Sequence, residues 1–167
     1  MRAHTPSVVR VESPAAGEDA YPVEVGAVLH NGAAYCFLVQ PLAQWQAWDP
    51  TLTGELGLAR SKVERHGLTP GEVADALNRA LEEEAVYSTK PEEDNRLLDL
   101  LYAAAGVERA FRVHDLYELL DPDHRERWEE ARDNLSSLLE SERRRASNIA
   151  RLDQQTYRHL RTAAVTL

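Results

Sequence analysis

"SVVRVESPAAGEDAYPVEVGAVLHNGAAYCFLVQP" runs from Ser7 to Pro41. Its first six residues, Ser7–Glu12, are short and rich in β-branched side chains, which pack well on a pleated surface, so they read as a strand. Residues 21–41 hold two more extended runs on either side of His30-Asn31-Gly32. Asn-Gly supplies the positive φ angles of a tight hairpin turn, so these two runs are expected to pair antiparallel. A hairpin in a chain that later alternates helix and strand implies a mixed sheet rather than a purely parallel one.

Further along, that alternation appears. Residues 42–67 read as loop plus a short helix, with "QWQAWDP" carrying two tryptophans and a proline stop. In "LTPGEVADALNRALEEEA", Thr69 is placed to cap a helix and Pro70 to occupy its first position. Val73, Ala76, Leu77, Ala80 and Leu81 then share one apolar face. "AVYST" (85–89) reads as a buried strand. "PEEDNRLLDLLYAAAG" reads as a second helix, with Leu97, Leu98, Leu101 and Ala105 on its stripe and Gly106 as the C-terminal cap. "AFRVHDL" (110–116) reads as a fifth strand. From Pro122 onward the pattern is helical, with a break expected near 143–146 and a last helix over 145–162. The stripe Ile149, Leu152, Thr156 and Leu160 is expected to pack that last helix across the first strand.

Composition narrows the class. A chain of 167 residues with 43% hydrophobic and 28% charged residues can bury a real core, and it is read as a single domain over 1–167. No apolar run is long enough to span a bilayer, so no membrane partner is expected. The N-terminal stretch has no hydrophobic signal core, and Cys36 is the only cysteine. A reducing, cytoplasmic setting is the plain reading. The formal net charge of −9 works against unspecific binding to a phosphate backbone. It does not exclude a nuclease, because a cluster of metal-binding carboxylates also makes a protein acidic.

Three fragments in order carry a resemblance. "RVESPAAGEDAYPVEVGAVLHNG" places Glu12 on a strand some ten residues before "VEVGAV". "AVYSTKPEEDNRLLDLL" sets Asp94 at the start of a helix after a strand. "RRASNIAR" (144–151) is followed by Gln154-Gln155-Thr156. In these features, over most of its length, the chain resembles the DEDDh 3′–5′ exonuclease family, in particular its small stand-alone bacterial members. The resemblance implies an α/β, ribonuclease-H-like fold: a mixed central sheet flanked by helices. It also implies a site in which four carboxylates hold two divalent ions and a histidine deprotonates the attacking water.

Carried over position by position, that site is largely absent. The glutamate falls on Glu12 and the middle aspartate on Asp94. The other three positions fall on Arg10, Arg144 and Ile149. One carboxylate has become a cation, another an apolar residue, and the base a guanidinium that does not deprotonate usefully. The family's "HGI" loop motif appears altered, as Leu56-Gly57-Leu58. Asn148 and Asp153 repeat the histidine-to-aspartate spacing one turn later. On a helix, however, Asp153 lies about 6 Å along the axis from Ile149 at ~1.5 Å per residue, too far to replace a ligand.

Arg10 and Arg144 are therefore expected to point into the old metal cavity and pair there with Glu12 and Asp94, since a guanidinium offers forked donors to carboxylates. Plainer readings stand beside this one. Arg143 and Arg145 read as a solvated helix cap, and Glu12 and Asp94 can equally be residual surface acids. Trp45, Trp48 and Trp128 read as core, and the histidines show no metal-ligand spacing. "LEEEA" (81–85) and "DHRERWEEARD" (123–133) read as wet helix faces. Two function classes follow. One is a non-catalytic, pseudo-enzyme module that binds a protein or nucleic-acid partner or associates with itself, with no cofactor expected. The other is a metal-dependent 3′–5′ exonuclease acting on DNA or RNA through an unusual site, with Mg²⁺ or Mn²⁺ held by Glu12 and Asp94.

Overall fold

The computed structural model describes residues 4–82, 85–138 and 144–163. Five strands form one sheet: β1 (Ser7–Glu12), β2 (Glu24–Val28), β3 (Ala34–Leu38), β4 (Ala85–Ser88) and β5 (Arg112–Asp115). Their order is β3-β2-β1-β4-β5, with β1 at the centre. β1, β2 and β3 pair antiparallel, whereas β4 and β5 run parallel to β1. The sheet is mixed, as the hairpin implied. Gly32 sits in the β2–β3 turn at a φ of 89°, a conformation that glycine adopts without a Cβ clash.

The helices are α1 (Pro50–Leu56), α2 (Arg60–His66), α3 (Pro70–Leu81), α4 (Pro91–Ala105), α5 (Pro122–Glu126), α6 (Trp128–Leu138) and α7 (Ala146–Ala163). α3 begins on a full capping box: Thr69 Oγ1 accepts from the Glu72 amide, and the Glu72 carboxylate accepts from the Thr69 amide. α4 ends on Gly106 in the left-handed region. Three readings need correction. Pro50 does not stop a segment; it opens α1, with the Asp49 side chain capping the Thr51 and Leu52 amides. Residues 42–67 therefore hold two short helices, not one. β5 is also shorter than residues 110–116, because the Asp115 carboxylate turns the chain by accepting from the Tyr117 amide.

Pleating divides β1 between two layers. Val9 and Val11 face α3 and α4, in a core with Val25, Leu77, Leu98 and Leu101. Val8 faces the other way, into a smaller core with Trp128, Ala150, Tyr157 and Leu160. α7 packs across β1 and β2 at very close range. A Cβ on Gly26 would lie 2.0 Å from the Ser147 amide nitrogen and 2.3 Å from the Ala146 carbonyl carbon. The buried face of α7 is Ala146, Ala150, Tyr157 and Leu160, with Asp153, Gln154 and Thr156. Ile149 and Leu152 are only half-buried, so the expected stripe is turned by about one residue. Trp128 is core, while Trp45 and Trp48 are half-buried in a third cluster beside Tyr21. Among the described residues no helix is long and apolar enough to cross a membrane.

Candidate functional site

From β3 the chain passes through three helices to β4 on the far side of β1. In open α/β sheets, the carboxyl ends of the strands at such a reversal are where ligands bind. A cleft of about 1070 Å³ opens there. Arg10 and Glu12 of β1 form its floor, with Leu52 and Leu56 of α1 on one side. Arg132 of α6 and Ile149 of α7 line the other.

Arg10 and Glu12 stand two apart on the strand, so both side chains leave on one face. The Arg10 Nε donates to Glu12 Oε1 at 3.1 Å. Asp94 does not line the cleft; it is fully buried behind it. Its place follows from the sheet. β1 and β4 pair only at Ser7–Val86 and Val8–Tyr87, and the Asp94 carboxylate takes the amide beyond that pairing. Its Oδ1 accepts from the Val11 N–H at 3.1 Å, and its Oδ2 accepts from the Ser88 hydroxyl. Ser88 is held in turn by the Lys90 amide at 2.8 Å.

Burial pushes the Asp94 carboxyl up to about 6, against the pull of Arg10, Ser88 and the Val11 amide. Burial also opposes the charge on Arg10, but Asp94 and Glu12 outweigh it and hold that guanidinium above its ordinary value.

Arg144 lines the same cleft, as does Ile149. Arg144 is exposed and forms no ion pair among the described residues, so the expected four-charge network is not what the structure shows. The reason lies in how the chain enters α7. The Arg145 carbonyl accepts from the Asn148 and Ile149 amides, and its guanidinium turns toward Glu24 at 3.9 Å. That leaves Arg144 at the rim. Arg145 is thus a half-exposed cap, and Arg143 lies outside the described residues.

Sequence reasoning missed several groups. Glu24 is buried and accepts the Ala146 amide at the start of α7; burial raises its pKa, offset by that hydrogen bond and by Arg145. Asp153, read only as a displaced ligand, is buried and pairs with Arg132 Nε at 2.7 Å and with Thr89 Oγ1 at 3.1 Å. Arg132, in the stretch 123–133 expected to be a wet face, is thus drawn into this pairing. Gln154 is buried and donates to the carbonyls of Pro6 and Leu29, both at 2.9 Å. The one available signal was the Gln154-Gln155-Thr156 match to the family's last motif.

The donor set does not fit a pair of Mg²⁺ or Mn²⁺ ions. Such ions need several carboxylate oxygens within about 2.0–2.6 Å. Glu12 is engaged by a guanidinium, both oxygens of Asp94 by protein donors, and Asp153 by Arg132 and Thr89. Among the described residues no three His, Cys, Asp or Glu side chains gather closely enough to hold a metal ion.

No protein-family model and no curated protein matches the chain. Solved structures do. An exonuclease I from Methylocaldum szegediense superposes with a TM-score of 0.58 at 10% identity, covering 73% of this chain and 29% of that one. E. coli exonuclease I in complex with a dT13 oligonucleotide gives 0.55 at 10% identity, covering 68% and 28% respectively. The chain therefore spans less than a third of the length of those two proteins. With a mixed five-stranded sheet flanked by helices and these structural neighbours, the chain has the ribonuclease-H-like fold of the exonucleases.

Proposed function

We propose that this chain is a non-catalytic exonuclease-fold module that acts by binding a partner in the cleft. The observation that carries this is the Arg10–Glu12 contact over the buried Asp94. A guanidinium tied to the chain supplies the counter-charge that divalent ions would supply in a working two-metal site. Glu12 then belongs to an internal salt bridge with Arg10 and Asp94 to a hydrogen-bonded anchor behind it, while the resemblance assigns Arg10, Arg144 and Ile149 to positions where carboxylates and a base would be needed. No cofactor is required. The competing reading, a metal-dependent 3′–5′ exonuclease, needs ions at oxygens that protein donors occupy.

Of the two partner classes, the charge of the cleft favours nucleic acid over protein. The chain carries a net charge of −9, yet among the described residues five cations line the cleft against four carboxylates. An anionic strand is the natural complement. The exonuclease I structures with oligonucleotide support that choice by fold alone.

The test is a nuclease assay. Purified protein with Mg²⁺ or Mn²⁺ is expected to degrade single-stranded DNA or RNA no faster than the Glu12→Ala, Asp94→Ala double variant. Metal-dependent release of mononucleotides that disappears in that variant would replace this reading with the exonuclease one. A gain-of-function arm sharpens it. Arg10→Asp with Arg144→His and Ile149→Asp is expected to bind Mn²⁺ by calorimetry where the parent does not.

A further inference from the structure

We infer that the side of α7 turned into the cleft is a track for the backbone phosphates of a single nucleic-acid strand, with Arg144 and Arg151 as its charged steps. This rests on the nucleic-acid reading above and adds where the strand lies and what holds it.

Charge separates the walls. Arg10 is matched by Glu12, and Arg132 by Asp153. Lys90, Arg144 and Arg151 also line the cleft and form no ion pair among the described residues. Glu129 and Glu55 lie on the α6 and α1 sides. The only carboxylate that α7 brings to the cleft is Asp153, which is already neutralised. Among the described residues, Arg144 and Arg151 make the α7 wall the side of the cleft with two cations that no carboxylate pairs.

Spacing gives the wall a direction. Asn148, Arg151 and Gln155 line the cleft at i, i+3 and i+7, so they share one face of the helix. Their rises along the axis are about 4.5 and 6 Å at 1.5 Å per residue. Arg144, just ahead of the first turn, extends the row at its N-terminal end. Such a row can be followed by successive phosphates of an unstacked strand. It offers the guanidinium donors of Arg144 and Arg151 and the Gln155 amide, and it reads no base.

The rest of the cleft suits the bases. Leu52 and Leu56 line it from α1, and Tyr117 is half-buried on its margin. The Tyr117 ring meets Trp128 in a T-shaped contact at 5.4 Å, which fixes its plane, and it borders the cleft where a base could stack on it. A duplex turns its phosphates outward on both strands and cannot use an apolar wall and a phosphate track together. A peptide of acidic residues alone, such as polyglutamate, would find the cations but brings no flat ring to Tyr117.

The experiment measures binding of a short labelled oligo-dT by fluorescence anisotropy, in EDTA, across a NaCl series. Losing one phosphate contact is expected to reduce the slope of log affinity against log salt by about 0.7. Arg144→Gln and Arg151→Gln should each show that loss, and the double variant about twice as much. Arg158→Gln, exposed on α7 and outside the cleft, should change neither slope nor affinity. Tyr117→Leu should weaken binding at an unchanged slope. A wild-type protein that binds the strand while both arginine variants keep its full slope would overturn the track alone. A wild-type protein that binds no strand would overturn the nucleic-acid reading itself. Competition by polyglutamate as effective as by oligo-dT would show a site for acidic protein and overturn both.

Discussion

The two faces of the sheet are built on different chemistry. On the α3–α4 face, β1 and β2 contribute Val9, Val11, Val25 and Ala27 to a core that is closed almost wholly by aliphatic and aromatic side chains. On the α7 face, the same two strands present Val8, Arg10, Glu12, Glu24, Gly26 and Val28. That layer buries Glu24, Asp153, Gln154 and Thr156, each bonded to a specific partner. Burying polar groups lowers stability unless every one finds its complement. The first face is thus held by area and packing, and the second by a set of individual pairings around a cleft. Stability is expected to be spread broadly on the dry face and to depend on single atoms on the wet one.

The sharpest break should come where α7 meets β2. Replacing Gly26 with Val sets a side chain where the Ser147 and Ala146 backbone already lies, at 2.0 and 2.3 Å. Backbone cannot rotate away, so α7 must lift from the sheet. The expected cost is about 5 kcal/mol or more, enough to unfold a domain of ordinary stability. Gly71→Ala is the control. Its new methyl would meet nothing nearer than Thr69 Oγ1 at 4.0 Å, and in a first helical turn the change should stabilise by about 0.5 kcal/mol. Urea denaturation of the two variants measures both.

Next in size is a cavity on the dry face. Leu98 is fully buried between α4 and the sheet. Leu98→Ala should cost about 4 kcal/mol, within the usual range of roughly 2–5 for such truncations. Asp94 precedes Leu98 by one turn on α4 and titrates near pH 6, so the loss should be read at pH 5, where that carboxyl is mostly protonated. A loss well below about 2 kcal/mol would mean that this face is not held by packing.

The two faces also differ in how far they can be read from sequence. The dry face is written in local patterns. The β-branched run Ser7–Glu12, the Asn-Gly turn, the Thr69 cap with Pro70 and the leucines of α4 each depend on residues within a few positions, and the structure has each of them where the sequence predicts it. The wet face depends on partners far apart in the chain. Gln154 donates to Pro6 and Leu29, Asp153 meets Arg132 and Thr89, and Glu24 holds Ala146. No periodicity encodes such matches. An apolar count therefore chose Ile149 and Leu152 for the core and passed over Asp153 and Gln154, whereas the structure turns the first pair to the cleft and the second pair inward. Local pattern likewise gave no sign that Arg145, rather than Arg144, would turn toward a buried carboxylate.

The smallest of these effects sits where the two faces meet, at Arg10 and Asp94, and it has a pH signature. Asp94 has a folded pKa of about 6 against 3.8 for the free side chain. The folded state therefore holds its proton more tightly. The stability this group contributes is fully present below about pH 4 and is lost as pH rises through 6, a span of about 3 kcal/mol at ~1.4 kcal/mol per unit. Arg10 limits that loss by favouring the ionised form. In Arg10→Ala the carboxyl should titrate above 6, so stability keeps falling where the wild type has levelled off.

The extra cost has a ceiling, because Asp94 can always escape by staying protonated. At pH 8 that escape costs about 2.7 kcal/mol relative to a group of pKa 6, and at pH 5 almost nothing. Glu12 also loses its partner, but it borders the cleft, so about 1 kcal/mol of roughly pH-independent loss is added. Arg10→Ala should then destabilise by about 1 kcal/mol at pH 5 and about 3 kcal/mol at pH 8. Paired urea titrations of variant and wild type at the two pH values decide it. Equal losses would mean that Arg10 does not hold the charge on Asp94, and that the wet face, like the dry one, stands on packing.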